Sequence, residues 1–144
     1  MRRIFLNTLY LAVLCASCSV ERSDNGQLDG FWQLKTVDTL STGGVADMRE
    51  SQMTWAFQGG LVEFRHAPNR DKDYYMSFVH KGDSLLLFGA YHLLREQGDT
   101  LLQSATLLAP FGVTRLNQGF RILELGSQQM CLRSEDLKLT LRRY

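Results

Sequence analysis

In DLKLTLRR (136–143), Leu137, Leu139 and Leu141 fall on one side, and Lys138, Thr140 and Arg142 on the other. A two-residue period is that of a pleated strand with one face on a core and one in water. The period recurs along most of the chain. FWQLKTVD (31–38) sets Trp32 and Leu34 against Gln33 and Lys35, and SQMTWAFQ (51–58) aligns Met53, Trp55 and Phe57. LVEFRH (61–66) aligns Val62 and Phe64, DYYMSFVHK (73–81) aligns Tyr74, Met76 and Phe78, and GFRILEL (119–125) and QQMCLR (128–133) continue the theme. Proline occurs twice and glycine twelve times. Short alternating stretches between glycine turns predict an antiparallel sandwich or barrel, and a charged outer face along the last strand fits a barrel wall.

The turns carry their own signals. Gly59-Gly60 predicts a tight hairpin, and GDSLL (82–86) and GDTLL (98–102) form an internal echo that predicts two rungs of one meander. Between them, LLFGAYHLLRE is either one long strand bulged at Gly89 or two short ones. Two segments do not read as strand. TLSTGGVADMRE (39–50) is expected to close as a turn of helix over a barrel mouth, and LLAPFGVTRLNQ (107–118), with Pro110 and Gly112, as a loop or lid.

The chain opens differently. Arg2 and Arg3 precede a nearly continuous apolar run, Ile4 to Ala16, followed by small and then polar residues. This order is that of a secretory signal peptide, and the run is too short to span a bilayer as a helix. Cys15-Ala16-Ser17-Cys18 resembles the lipobox of bacterial lipoproteins, with Cys15 where leucine is usual. The resemblance implies a lipidated Cys18 as the mature N-terminus, hence a membrane partner, and Ser19 after it implies the outer membrane. Ordinary cleavage near Ser17, giving a soluble periplasmic or secreted protein, is the alternative. The expected organisation is a signal peptide (1–17), a lipidated cysteine and tether (18–27) and one domain (28–144).

Removing residues 1–17 takes away two arginines and no acid, leaving 14 basic against 15 acidic side chains. A near-neutral domain of mixed signs has no electrostatic footprint for nucleic acid, and no nucleic-acid partner is expected. After Cys18 only Cys131 remains, so no disulfide framework is available and packing must hold the domain.

Gly30-Phe31-Trp32 at the head of the first strand resembles the G-x-W motif of lipocalins. In that family the tryptophan plugs the closed end of the barrel and an arginine from the last strand covers its ring, a role the resemblance gives to Arg142 or Arg143. Such a cation–π contact contributes about 0.5–2 kcal/mol. The Thr-Asp pair of the middle lipocalin motif is absent. The chain is more similar to lipocalin-like lipoproteins of bacterial envelopes: Leu28, Gly30 and Trp32 match an L-x-G-x-W opening, and Phe120 to Leu125 and Leu137-Lys138-Leu139 match the finish. The resemblance implies an all-β, antiparallel up-and-down barrel of about 8–9 strands. Such a barrel has room for side chains or one small ligand. Its candidate lining is Trp55, Phe57, Phe64, Tyr74, Met76, Phe78, Phe88, Tyr91 and Phe120. Most of these equally suit a plain core.

Catalytic readings find little support. Gly82-Asp83-Ser84 resembles the nucleophile block of an esterase family, but it sits mid-chain between antiparallel strands, and the last histidine is His92. His66, His80 and His92 share no metal-ligand spacing, Asn69-x-Asp71-x-Asp73 lacks the glycine and closing glutamate of a calcium loop, and Cys131 has no evident role. The expectation is therefore no enzyme, no metal and no cofactor. The leading reading is a tethered module holding a small apolar or amphipathic molecule. The competing one is a side-chain-filled barrel that docks an envelope protein or inhibits an enzyme.

Overall fold

The computed structural model describes residues 25–94 and 96–144; the leader, Cys18 and the tether up to Asp24 lie outside the described residues. Ten strands join in one antiparallel sheet: β1 (Gly30–Thr39), β2 (Val45–Asp47), β3 (Met53–Gln58), β4 (Leu61–His66), β5 (Tyr74–Lys81), β6 (Ser84–His92), β7 (Thr100–Leu101), β8 (Gln118–Leu125), β9 (Gln129–Arg133) and β10 (Leu137–Arg143). Eight of them run in the order β1-β3-β4-β5-β6-β8-β9-β10, and β10 pairs back onto β1, closing a barrel. Closure removes the free edges that an open sheet of this size would expose. The strands β2 and β7 lie off the ring, on β1 and β6.

The alternation expected from sequence holds best in β1, β3, β4, β5 and β10. Trp32, Leu34, Trp55, Val62, Phe64, Met76, Leu85, Leu87, Met130, Leu132, Leu139 and Leu141 are fully buried. A two-residue hairpin at Gly59-Gly60 joins β3 to β4, with Gln58 opposite Leu61 and Gly59 at φ +60°. Gly82-Asp83 joins β5 to β6 the same way, with Lys81 opposite Ser84. The GDT copy of this turn leads only into the two-residue β7, so the echo gives one full rung and one short outrigger.

Two expectations are corrected. Residues 39–50 do not cap a mouth as a helix. Thr39 to Gly44 turn the chain so that Val45–Asp47 pairs with Thr36–Asp38, extending β1 as a two-stranded flap, and a single 3-10 turn (Arg49–Ser51) follows. Val45 and Ala46 leave no apolar helical stripe in this segment, whereas a paired edge satisfies its backbone groups. Phe88 and Tyr91 do not line the barrel. Gly89, at φ +63°, inserts an extra residue opposite β5, between the Ser77–Phe88 and Tyr75–Tyr91 pairs. Leu85 and Leu87 point inward ahead of the bulge, which puts Leu86 and Phe88 outward; the bulge then reverses the phase, so that Ala90 points inward and Tyr91 outward. Phe88 is left exposed, and Tyr91 stacks on outward-facing Tyr75 with centroids 5.1 Å apart.

The segment 107–118 contains a 3-10 helix, Thr106–Phe111, that sends Leu108 and Phe111 into the barrel; Val113 follows them into the core. Its C-terminal Gly112 has φ +87°, and a Cβ there would stand 2.6 Å from Leu139 Cδ2. Only glycine fits both the backbone and the space.

Candidate functional site

The two ends of the barrel differ. At the end holding Gly30, Trp32 is fully buried and donates from Nε1 to the Leu28 carbonyl at 2.9 Å. The Arg143 guanidinium lies over its ring, 4.2 Å from the centroid. Arg143 also donates Nη1 to the Asp29 carbonyl (2.8 Å), Nε to the Ser127 carbonyl (2.7 Å) and Nη2 to the Gln27 carbonyl. One planar cation thus ties the entry segment and the β8–β9 turn to the plug. Gly30 has φ +117°, and a Cβ there would sit 2.9 Å from Arg143 Nη1, which accounts for the glycine two residues before the tryptophan. Of the two arginines considered, Arg143 takes the role; Arg142 is exposed, opposite Gln33 and Gln129.

The lumen between the ends is filled. Seven of the nine candidate lining residues, Trp55, Phe57, Phe64, Tyr74, Met76, Phe78 and Phe120, are buried inside it. Trp55, Phe64, Met76, Leu87, Met130 and Leu132 have no accessible surface at all, so no water-sized space adjoins any of them. Trp55 stands at the centre, edge-on to Phe64 (5.0 Å) and Phe120 (5.8 Å). Its Nε1 donates to the Phe111 carbonyl at 3.1 Å. That bond satisfies a buried indole and latches the 3-10 helix at the same time.

The latched helix leaves a cleft of about 280 Å3 at the lidded mouth. Met53, Leu107, Pro110 and Phe111 form its apolar walls, and His66, Lys72, Tyr74 and Thr106 its polar side. Three of these polar groups come from the strand ends and turn at this mouth, and Thr106 opens the 3-10 helix: His66 closes β4, Tyr74 opens β5, and the 3-10 turn Arg70–Lys72, capped by Asn69 Oδ1 on the Asp71 amide, lies between them. His66 Nδ1 is buried and meets no hydrogen-bond partner among the described residues. Burial, aided by the neighbouring Asp73 carboxylate, pushes the Tyr74 phenol above its ordinary range and keeps it a donor. His92 stacks on Tyr74 at 4.8 Å and contacts the Asp71 carbonyl through Nε2 (2.7 Å).

His80 bonds its own turn at the Gly82 carbonyl, far along β5 from the other two histidines. No group of three or more His, Cys, Asp or Glu side chains among the described residues is placed to hold a metal ion. Cys131 is free and buried on the outward side of β9, with Sγ 3.8 Å from Glu124 Oε2 and 3.9 Å from Thr140 Oγ1.

The closed eight-stranded ring has counterparts among known proteins. A family model described as a lipocalin-like domain matches residues 12–144. The chain belongs to the lipocalin-like domain family. Solved structures agree on its fold. A lipocalin-like protein from Bacteroides uniformis superposes with a TM-score of 0.61 at 20% identity, covering 83% of this chain and all of that one. An uncharacterized protein from Bacteroides eggerthii gives 0.55 at 19% identity over 81% of this chain and 98% of that one. A protein from Burkholderia xenovorans gives 0.52 at 15% identity over 81% and 82%. No curated protein matches. At these identities the likeness carries the lipocalin-like fold and not a ligand.

The sequence reading missed the plug character of the 3-10 helix. The signal was present: Leu107, Leu108, Phe111 and Val113 make the segment too apolar for a solvated loop. It also missed His66, whose ring reaches the mouth only because β4 ends there.

Proposed function

We propose that this lipocalin-like chain is an exported binding protein, tethered to the bacterial envelope through lipid on Cys18, that takes a small amphipathic molecule at its lidded mouth. The leader order and the lipobox-like CASC support the address. The cleft supports the binding role: apolar walls from Met53 and the 3-10 helix face a polar side built by His66, Lys72 and Tyr74. The observation that carries the reading is this one-sided lining, with the Lys72 ammonium and the Tyr74 phenol, held protonated, opposite the apolar walls. A polar head group would hydrogen-bond on that side while the walls cover an apolar body. The apolar body then lies against Leu107 and Pro110, or enters further if the Trp55–Phe111 latch opens. The role is binding and not catalysis.

The filled lumen favours a second reading, in which the barrel is a rigid body that docks an envelope protein through its outer wall. Val79 and Leu86, cross-strand neighbours exposed at 51% and 44%, are the apolar pair it would use. Native mass spectrometry of the protein purified from its own host separates the two. The mouth reading expects a co-purifying small molecule, lost in a Tyr74→Phe, Lys72→Ala double variant. A bare mass with a stoichiometric protein partner in repeated preparations overturns it in favour of the second.

A further inference from the structure

The outer wall carries a concavity unrelated to the mouth. Following the register across the sheet, Phe31 lies opposite Ala56, Ala56 opposite Glu63, Glu63 opposite Tyr75, Tyr75 opposite Tyr91, and Tyr91 opposite Leu101. This row faces solvent, because its β1 to β5 members alternate with the buried Trp32, Trp55, Phe64 and Met76. Ala56 is the small member of the row. With only a methyl between Phe31 on one side and the longer Glu63 and Tyr75 on the other, the wall dips there. The resulting groove has a volume of about 790 Å3, the size class of small-molecule sites.

The lining chemistry is specific. Phe31 and Leu61 are each 48% exposed at its edge, and Leu93 and the Tyr75 ring extend the apolar surface. Among the described lining residues the charged groups are Asp29, Glu63 and Asp99 against Arg65. The Arg65 guanidinium is engaged, bonded to Glu63 at 2.8 Å and lying 5.2 Å from the Phe31 centroid. Asp99 accepts from the Tyr75 hydroxyl at 3.2 Å, which fixes a carboxylate at the rim. Among the described residues, an apolar floor with a net acidic rim complements a molecule with an apolar body and a positive head. The strands β1, β3, β4 and β5 are all paired on both sides here, so an extended peptide finds no ladder to join.

We propose that this outer groove is a second binding site, for an amphipathic organic cation whose flat or aliphatic body lies over Ala56 between Phe31 and Tyr75 and whose ammonium faces Asp99. The site is independent of the lidded mouth, and its test reads the two separately. The probe is 2-(2-naphthyl)ethylamine, compared with naphthylacetate, by isothermal titration calorimetry on the full protein at about pH 7, where the amine is protonated. The amine is expected to bind saturably, and the acid at least about tenfold more weakly. Ala56→Phe, which fills the floor, and Asp99→Lys, which reverses the rim in an exposed loop, should each weaken the amine by about tenfold or more. Leu107→Glu, which alters the mouth, should leave it within about twofold. Absence of saturable amine binding, equal affinity for the acid, or loss in Leu107→Glu with retention in Asp99→Lys would overturn the assignment.

Discussion

Arg143 shows how much one side chain at a seam can hold. Its guanidinium covers Trp32 and reaches three carbonyls, on Gln27, Asp29 and Ser127, which belong to segments that no strand pairing connects. Arg143→Ala should lower stability by about 2–4 kcal/mol, because a cation–π contact and several charge-assisted hydrogen bonds vanish together. Arg143→Lys should fall between, since an ammonium lacks the planar fork that serves three acceptors. Arg142→Ala, on the solvent side, should stay within about 0.5 kcal/mol. Urea unfolding followed by tryptophan fluorescence checks all three, and equal losses at 142 and 143 would contradict the assignment. The choice between the two arginines was legible in advance. Arg143 shares the phase of Leu137, Leu139 and Leu141, whereas Arg142 shares that of Lys138 and Thr140. What alternation could not supply is the carbonyl set, which exists only because the β8–β9 turn and the Gly26–Leu28 turn meet at the same end.

Among the elements, strands were read well. Of their interruptions, the Gly89 bulge was one of two readings, borne out by the single strand β6, while its effect on Tyr91 was not followed through. A strand declares itself through a local period, so β1, β3, β4, β5 and β10 followed from sequence. A bulge shows only as a phase error: beyond Gly89 the alternation places Tyr91 wrongly unless the extra residue is counted, whereas Phe88, ahead of it, shares the outward phase of Leu86. The 3-10 helix was harder still, because its burial depends on a lumen assembled from distant strands. The two glycines at these interruptions should respond differently to alanine. At Gly89 a Cβ meets nothing within 4 Å, so Gly89→Ala should cost only the left-handed backbone penalty, about 1–2 kcal/mol. At Gly112 the same penalty adds to contacts of 2.6 and 2.8 Å with the two Leu139 methyls, so Gly112→Ala should cost more than about 3 kcal/mol. It should also loosen the latch, seen as greater acrylamide quenching of tryptophan emission. Thermal unfolding that ranks the two variants the other way would contradict this packing.

Taken whole, the barrel is a ring in which the first strand finds its partner only when the last arrives: β1 pairs β10 over Trp32 to Thr39. The contacts that complete the core therefore join residues about a hundred positions apart, a topology that folds slowly. The family and the fold were readable because G-x-W, the strand period and the terminal arginine are all local marks. The state of the lumen was not, since whether nine large side chains meet or leave a void depends on bulges and on the plug. The proposed lipid tether makes its own prediction at this scale. Cys18→Ala should move the protein from the membrane fraction to the soluble fraction on cell fractionation, with its unfolding midpoint unchanged. Unaltered membrane retention would remove the tether from the account.

Asn25, where the described chain starts, bonds the Gly59 carbonyl at the end of β3, while the cleft with Met53 and Phe111 lies at the start of that same strand. The leash proposed above, attached ahead of Asn25, would therefore grip the barrel by its sealed base. Like a bucket held from below, the vessel would present its lidded mouth outward, to whatever diffuses past, and its flank groove sideways along the surface that holds it.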